Sequence, residues 1–99
     1  MTQFPWYDSY PAGIPHTINP EKYPSLPGML DVVAKKFPDR IGYSNMDVGL
    51  SYARTAELSR DMAAYLQSLE GLKPGDRVAL MMPNLLQYIV AVFACLRAG

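Results

Sequence analysis

The sequence predicts an α/β fold in which three helices surround a small sheet. The main observation is the apolar run at residues 78–82, which does not alternate with polar residues and ends at Pro83. A short run of this kind is typical of a strand buried on both faces, as in a parallel sheet, so we predict a strand over residues 77–82. Helical periodicity before and after the run gives the order helix, strand, helix, which is typical of an α/β sheet.

Three stretches carry apolar residues at helical spacing, and we predict helices there: residues 26–37, 53–69 and 85–98. Each stretch follows a residue type that caps helix N-termini: Ser25, Ser51 and Asn84. Pro38 stops the first helix, and Gly71 suits the C′ position of the second. The third helix is apolar nearly all round, so we expect most of its surface to be covered, and a chain of this length has little material for that.

A hairpin is predicted between the first two helices. Its strands are residues 41–46 and 50–52, and its turn is Asp47-Val48-Gly49. We expect a short hairpin or a mixed sheet edge to lead into the buried strand.

Residues 1–24 are predicted to form an arm that is distinct from an α/β segment at residues 25–99. Prolines recur every four to six residues and prevent a helix of useful length: Pro5, Pro11, Pro15, Pro20 and Pro24. The arm also carries large apolar side chains: Trp6, Tyr7, Tyr10, Ile14, Ile18 and Tyr23. We therefore expect the arm to lie on a surface, either that of its own chain or that of a partner.

Composition limits the classes of function. Apolar residues make up 49% of the chain and charged residues 18%, which is typical of a globular protein. Nine basic residues balance nine acidic ones, so net charge gives no argument for a nucleic-acid partner. One cysteine allows no internal disulfide and fits a reducing compartment. We expect no signal peptide, and the longest apolar run, residues 88–96, is shorter than the roughly 20 residues of a membrane span.

No residue is assigned a catalytic, cofactor-binding or metal-binding role. The glycines are scattered, and neither GxGxxG nor GxxxxGK[ST] occurs. The charged turn at residues 73–77 is expected to be solvated rather than an anion site. Pro83-Asn84 follows the predicted strand, where α/β sheets often bind ligands, but helix capping by Asn84 is the favoured interpretation. Asp39 and Asp76 belong to a turn and a strand entry and are not expected to form a carboxylate pair.

Other side chains that could serve a function also have purely structural interpretations. Cys95 lies in the apolar helix without a nearby histidine and is expected to be buried and inert. His16 stands alone in the arm, without spaced partners for a metal. Met81, Met82 and Phe93 could line a channel for an acyl chain, but core packing is the favoured interpretation.

Residues 50–99 also resemble a known enzyme family. They are LSYARTAELSRDMAAYLQSLEGLKPGDRVALMMPNLLQYIVAVFACLRAG, an order of motifs that is typical of acyl-CoA synthetases, which are adenylate-forming enzymes. GDRVALMMPNLLQY, with YPSLPGML upstream, is similar to the bacterial long-chain fatty-acyl-CoA ligases. Arg54 departs from the pattern, since many members of the family have Glu there, and this substitution removes a capping box.

The resemblance implies that the chain is an N-terminal fragment of such a ligase, a partial domain that continues beyond Gly99. The implied parent is a cytoplasmic enzyme of fatty acid metabolism, which uses ATP and Mg²⁺ to form an acyl-adenylate and then transfers the acyl group to CoA. The family's Ser/Thr/Gly-rich loop, acidic Mg-ATP motif and catalytic lysine follow the segment seen here. The 99-residue chain is therefore expected to be inactive scaffold without bound cofactor.

The resemblance also bears on partners. It implies subunit contacts through the arm, and hence a homo-oligomer. The uncovered apolar helix separately predicts self-association of the fragment, and the zero net charge gives no reason to expect nucleic acid. Peripheral contact with the inner membrane is left open, although no basic amphipathic helix supports it.

Two other interpretations remain. The chain could be a stand-alone α/β interaction module, or the N-terminus of an adenylate-forming ligase for another carboxylic acid. A natural stop codon after Gly99 would favour the module. The sequence after Gly99 would distinguish a long-chain fatty acid ligase from a ligase for another acid, because the pocket for the acid is not expected in this segment.

Overall fold

The computed structural model describes residues 4–99, so Met1, Thr2 and Gln3 of the predicted arm lie outside the described residues. The elements in chain order are a 3-10 helix at Pro5–Ser9, helix α1 at Leu26–Lys36, strand β1 at Ile41–Asn45, strand β2 at Val48–Ser51, helix α2 at Tyr52–Ser68 and helix α3 at Leu86–Ala98. The predicted α/β class with three helices is confirmed, and each predicted helix boundary agrees with the observed one to within one residue.

Serine side chains cap the first two helices, as predicted. The Ser25 hydroxyl accepts a hydrogen bond from the Gly28 N–H at 3.0 Å, and the Ser51 hydroxyl accepts one from the Arg54 N–H at 3.1 Å. The second cap forms without Glu at its third position, because the hydroxyl needs only the free N–H of the first helical turn.

The end of α2 and the start of α3 differ from the prediction. Gly71 has the expected positive φ of +85°, but it lies two residues beyond the C-cap Leu69 rather than one. Asn84 is not the cap of α3: the N-cap is Leu85, which makes no side-chain capping hydrogen bond. Asn84 instead lies against the hairpin, where its carbonyl oxygen accepts a hydrogen bond from Asn45 Nδ2 at 3.2 Å.

Strands β1 and β2 form an antiparallel hairpin that is closed by Met46 and Asp47, whose φ angles are +50° and +64°. A two-residue turn with both φ angles positive matches the twist of the strands that it joins. The predicted turn at residues 47–49 is therefore wrong in position. Gly49 lies in β2, because Met46 and Asp47 provide the positive φ angles that a glycine was expected to provide.

The predicted strand at residues 77–82 is absent from the described residues. This segment has neither helical nor strand structure, and Val78 is 43% exposed and Met81 97% exposed. The sheet of the described residues contains β1 and β2 alone. A strand needs a neighbour for its backbone N–H and C=O groups, and residues 77–82 make no pairing with the hairpin. Residues 77–82 were also predicted to be buried on both faces, and this is wrong because no neighbouring strand covers them.

The three helices enclose a core of small and medium side chains. One cluster joins them through Leu30, Ala34, Ala56 and Phe93, and a second joins α2 and α3 through Ala63, Leu66 and Ala94. Two hydroxyl groups are fully buried on α2 and satisfy themselves within the helix: Thr55 Oγ1 donates to the Ser51 carbonyl at 2.7 Å, and Ser59 Oγ donates to the Ala56 carbonyl at 2.8 Å. Small side chains let α2 and α3 approach closely.

The described part of the arm packs on itself. The rings of Phe4 and Trp6 are stacked with centroids 4.5 Å apart, and His16 stacks on Tyr7 at 3.9 Å. No residue from 4 to 24 is buried, and Ile18 is 86% exposed. Aromatic stacking therefore gives residues 4–16 a local structure.

None of the described helices is both long enough and apolar enough to cross a bilayer.

We expect Leu30→Ala to lower the free energy of unfolding by about 2–5 kcal/mol, because it opens a cavity among the buried side chains of the three helices. Val32→Ala on the same helix is the matched control, since Val32 is 46% exposed and its truncation should cost less than about 1 kcal/mol. Urea denaturation followed by circular dichroism measures both. Equal losses for the two variants would show that α1 does not pack through Leu30.

Candidate functional site

A cluster of charged side chains connects all three helices. Arg97 of α3 donates two hydrogen bonds to the Asp31 carboxylate of α1, from Nη1 to Oδ2 at 2.9 Å and from Nη2 to Oδ1 at 2.8 Å. Its Nε also donates to Ser59 Oγ of α2 at 3.3 Å. Arg60 of α2 lies at the edge, with Nη2 3.4 Å from Asp31 Oδ1. We call these four residues the Asp31 cluster.

In the Asp31 cluster, the negative charge of Asp31 is paired with the positive charges of Arg97 and Arg60. The Arg97 side chain is 17% exposed, and the guanidinium and carboxylate planes meet in the paired geometry that gives strong charge-assisted hydrogen bonds. The Arg97 hydrogen bonds hold the pKa of Asp31 below its ordinary value, while partial burial opposes them and Arg60 adds to the lowering. A carboxylate held ionised by two arginines is a poor proton acceptor near neutral pH. The cluster is therefore suited to fixing the helices rather than to catalysis.

Sequence reasoning did not find the Asp31 cluster. A signal was present, because Arg97 is a charged residue in an otherwise apolar helix and a charge in that position requires a partner. The identity of the partner was not accessible, since Asp31 lies 66 residues away along the chain.

The candidate anion site at residues 73–77 is a solvated turn, as predicted. Asp76 Oδ2 accepts a hydrogen bond from the Lys73 N–H at 2.8 Å, and the Asp76 N–H donates to the Lys73 carbonyl at 3.0 Å. Gly75 has a φ of +89°, and its N–H donates to the Gly99 carbonyl at 2.7 Å. The loop side chains are exposed. These contacts show a turn stabilised from within and tied to the end of α3.

An apolar groove of about 270 Å³ lies beside this turn. Its walls come from α2, α3 and the intervening loop: Leu66, Gln67, Leu72, Lys73, Pro74, Asp76, Val78, Cys95, Ala98 and Gly99. Cys95 is a free thiol that is half-buried, so the expectation of full burial is wrong. Cys95 both packs against the cluster of Ala63, Leu66 and Ala94 and contributes to the wall of this groove.

A second groove, of about 210 Å³, lies where the hairpin meets the start of α3. It includes Asn84, Asn45 and Tyr43, and burial raises the pKa of the Tyr43 phenol. Asn84 is exposed, and its backbone rather than its side chain makes the contact with Asn45. The structure thus places Asn84 at a junction between elements.

The remaining candidates are dispersed. Phe93 is 9% exposed and belongs to the core, as predicted, whereas Met81 is 97% exposed and so is not a core residue. Met82 is half-buried, and none of these three side chains lines the two grooves described above. His16 is held by aromatic rings of the arm, and Asp39 is exposed.

Residues 4–99 contain neither a group of metal-ligating side chains nor a glycine loop that could hold phosphates. No group of three or more His, Cys, Asp or Glu side chains in residues 4–99 is placed to hold a metal. The four glycines with positive φ are separate in sequence, at positions 13, 71, 75 and 99, and so form no continuous loop of N–H groups for phosphates.

We expect Asp31→Asn to lower the free energy of unfolding by about 1 kcal/mol at neutral pH, a value reduced for the 41% exposure of the Asp31 side chain. The folded-state pKa of Asp31 is below the unfolded one, so its stabilisation is present above the unfolded pKa and is lost as pH falls through the folded one. The difference between wild type and variant should therefore shrink below about pH 4. Urea titrations at several pH values measure it.

Glu57→Gln is the matched control for this change. Glu57 and Arg54 form an ion pair at 2.9 Å on the surface, with both side chains more than half exposed, so its loss should have little effect at any pH. Asp31→Asn behaving like Glu57→Gln would contradict the structural role of the Asp31 cluster.

Comparison with known proteins identifies the family. The family model described as "AMP-binding enzyme" matches residues 30–99. The long-chain-fatty-acid–CoA ligase of Salmonella typhimurium is 50% identical over 94 residues, which are 95% of this chain and 17% of that protein. The ligase of the same name from Bacillus subtilis is 36% identical over 99 residues, which are 100% of this chain and 17% of that protein. The oxalate–CoA ligase of Arabidopsis thaliana is 43% identical over 75 residues, which are 75% of this chain and 15% of that protein.

The chain thus spans about one sixth of the length of these curated relatives, and no solved structure matches it. The family model covers more than two thirds of the chain, from the second turn of α1 to the end of α3. This chain belongs to the family of AMP-binding enzymes.

Proposed function

We propose that this chain is part of a long-chain fatty acid–CoA ligase. The observation that carries the proposal is the 50% identity to the Salmonella typhimurium ligase, which extends over 95% of the chain. The whole enzyme then uses ATP and Mg²⁺ to activate a fatty acid carboxylate and forms a thioester with CoA. In this proposal the groups that carry out these steps belong to other parts of that enzyme.

The role of residues 25–99 in this proposal is to build one layer of a larger N-terminal domain. The Asp31 cluster and the small side chains between α2 and α3 hold three helices in fixed relation. The segment at residues 77–82, which has no regular structure, lies between α2 and α3 and leaves Val78 and Met81 exposed. The order of α2, residues 77–82 and α3 is that of a helix, a strand and a helix in an α/β sheet. This order supports the proposal that residues 77–82 pair with other strands in the sheet of the whole domain.

A second candidate differs in the acid. The similarity to the oxalate–CoA ligase of Arabidopsis thaliana favours it, since that enzyme shares 43% of 75 aligned residues with this chain. Oxalate is a short dianion, whereas a fatty acid is a long apolar chain with one carboxylate. The two ligases therefore require opposite environments for the bound acid.

We further propose a cytoplasmic enzyme that forms homo-oligomers and touches the inner membrane at its periphery. The lipid nature of the substrate supports the membrane contact. The exposed aromatic and aliphatic side chains of residues 4–24 support the subunit contact, because exposed aromatic residues are common where proteins associate.

Acid-dependent exchange of pyrophosphate into ATP tests the proposed activity. The complete natural protein should catalyse the exchange with palmitate and not with oxalate, whereas the 99-residue chain should show no exchange with either. Exchange with oxalate alone would establish the second candidate. Exchange by the 99-residue chain would overturn the conclusion that the reacting groups lie elsewhere.

Removal of residues 1–20 from the complete protein should lower its oligomeric state, because the arm is proposed to pack on a partner subunit. Light scattering gives the mass, and circular dichroism confirms that both forms are folded. Trp6→Ala is a smaller change that removes one stacked ring, 52% exposed, and should weaken association in the same direction. An unchanged mass after removal of the arm would rule out this contact.

A further inference from the structure

We draw no further inference here: the strongest candidate, the apolar groove of about 270 Å³ between α2, α3 and residues 72–78 with Cys95 on its wall, carries none because nothing in the described residues shows what covers it.

Discussion

Helices α2 and α3 approach closely because the side chains between them are small. Ala94 of α3 is fully buried against Ala63 and Leu66 of α2, and Thr55 and Ser59 of α2 are buried without loss of hydrogen bonds. Buried hydroxyl groups are tolerated here because Ser59 donates to a carbonyl within α2 and Thr55 donates to the carbonyl of the N-cap Ser51. The rest of the fold is arranged on this pair: α1 covers one end of it and the hairpin leads into it.

The Asp31 cluster depends on that close approach. Arg97 reaches from α3 to Asp31 on α1, and it passes Ser59 on the way. The guanidinium keeps several hydrogen bonds in a place where only 17% of its side chain is exposed, so its charge is buried with a partner. Only the Arg97 end of the pair is largely buried, since the Asp31 side chain is 41% exposed, so the pair fixes the relative position of the helices while adding little net stability. That role is consistent with the proposed place of this chain as one layer of a larger domain.

The sequence predicts well those features that depend on residues close together along the chain. Ser25 and Ser51 act within one helical turn, so their capping was predictable from a few residues. The hairpin was predicted, but its turn was misplaced because Met46 and Asp47 adopt positive φ angles that local propensity would assign to Gly49. Both errors at the helix ends, at Gly71 and Asn84, amount to a shift of one residue.

Features that depend on distant partners were beyond local prediction. The Arg97–Asp31 pair joins residues 66 positions apart, and no local pattern names the second member. The strand predicted at residues 77–82 is absent for a related reason. The local pattern is that of a buried strand, but no strand of the described residues pairs with this segment. No catalytic residue was assigned from the sequence, because neither GxGxxG nor GxxxxGK[ST] occurs in it.

We propose that residues 77–82 form a strand only when the rest of the proposed ligase is present. Amide hydrogen exchange of this segment tests it, with the α2 amides as an internal reference because they are hydrogen-bonded within the helix. In the 99-residue chain, residues 77–82 should exchange at nearly the rate of an unstructured peptide. In the complete protein, the same amides should exchange at least about 100-fold more slowly, which corresponds to an opening free energy of roughly 3 kcal/mol. Equally fast exchange of residues 77–82 in both proteins would show that no strand forms there in the complete protein.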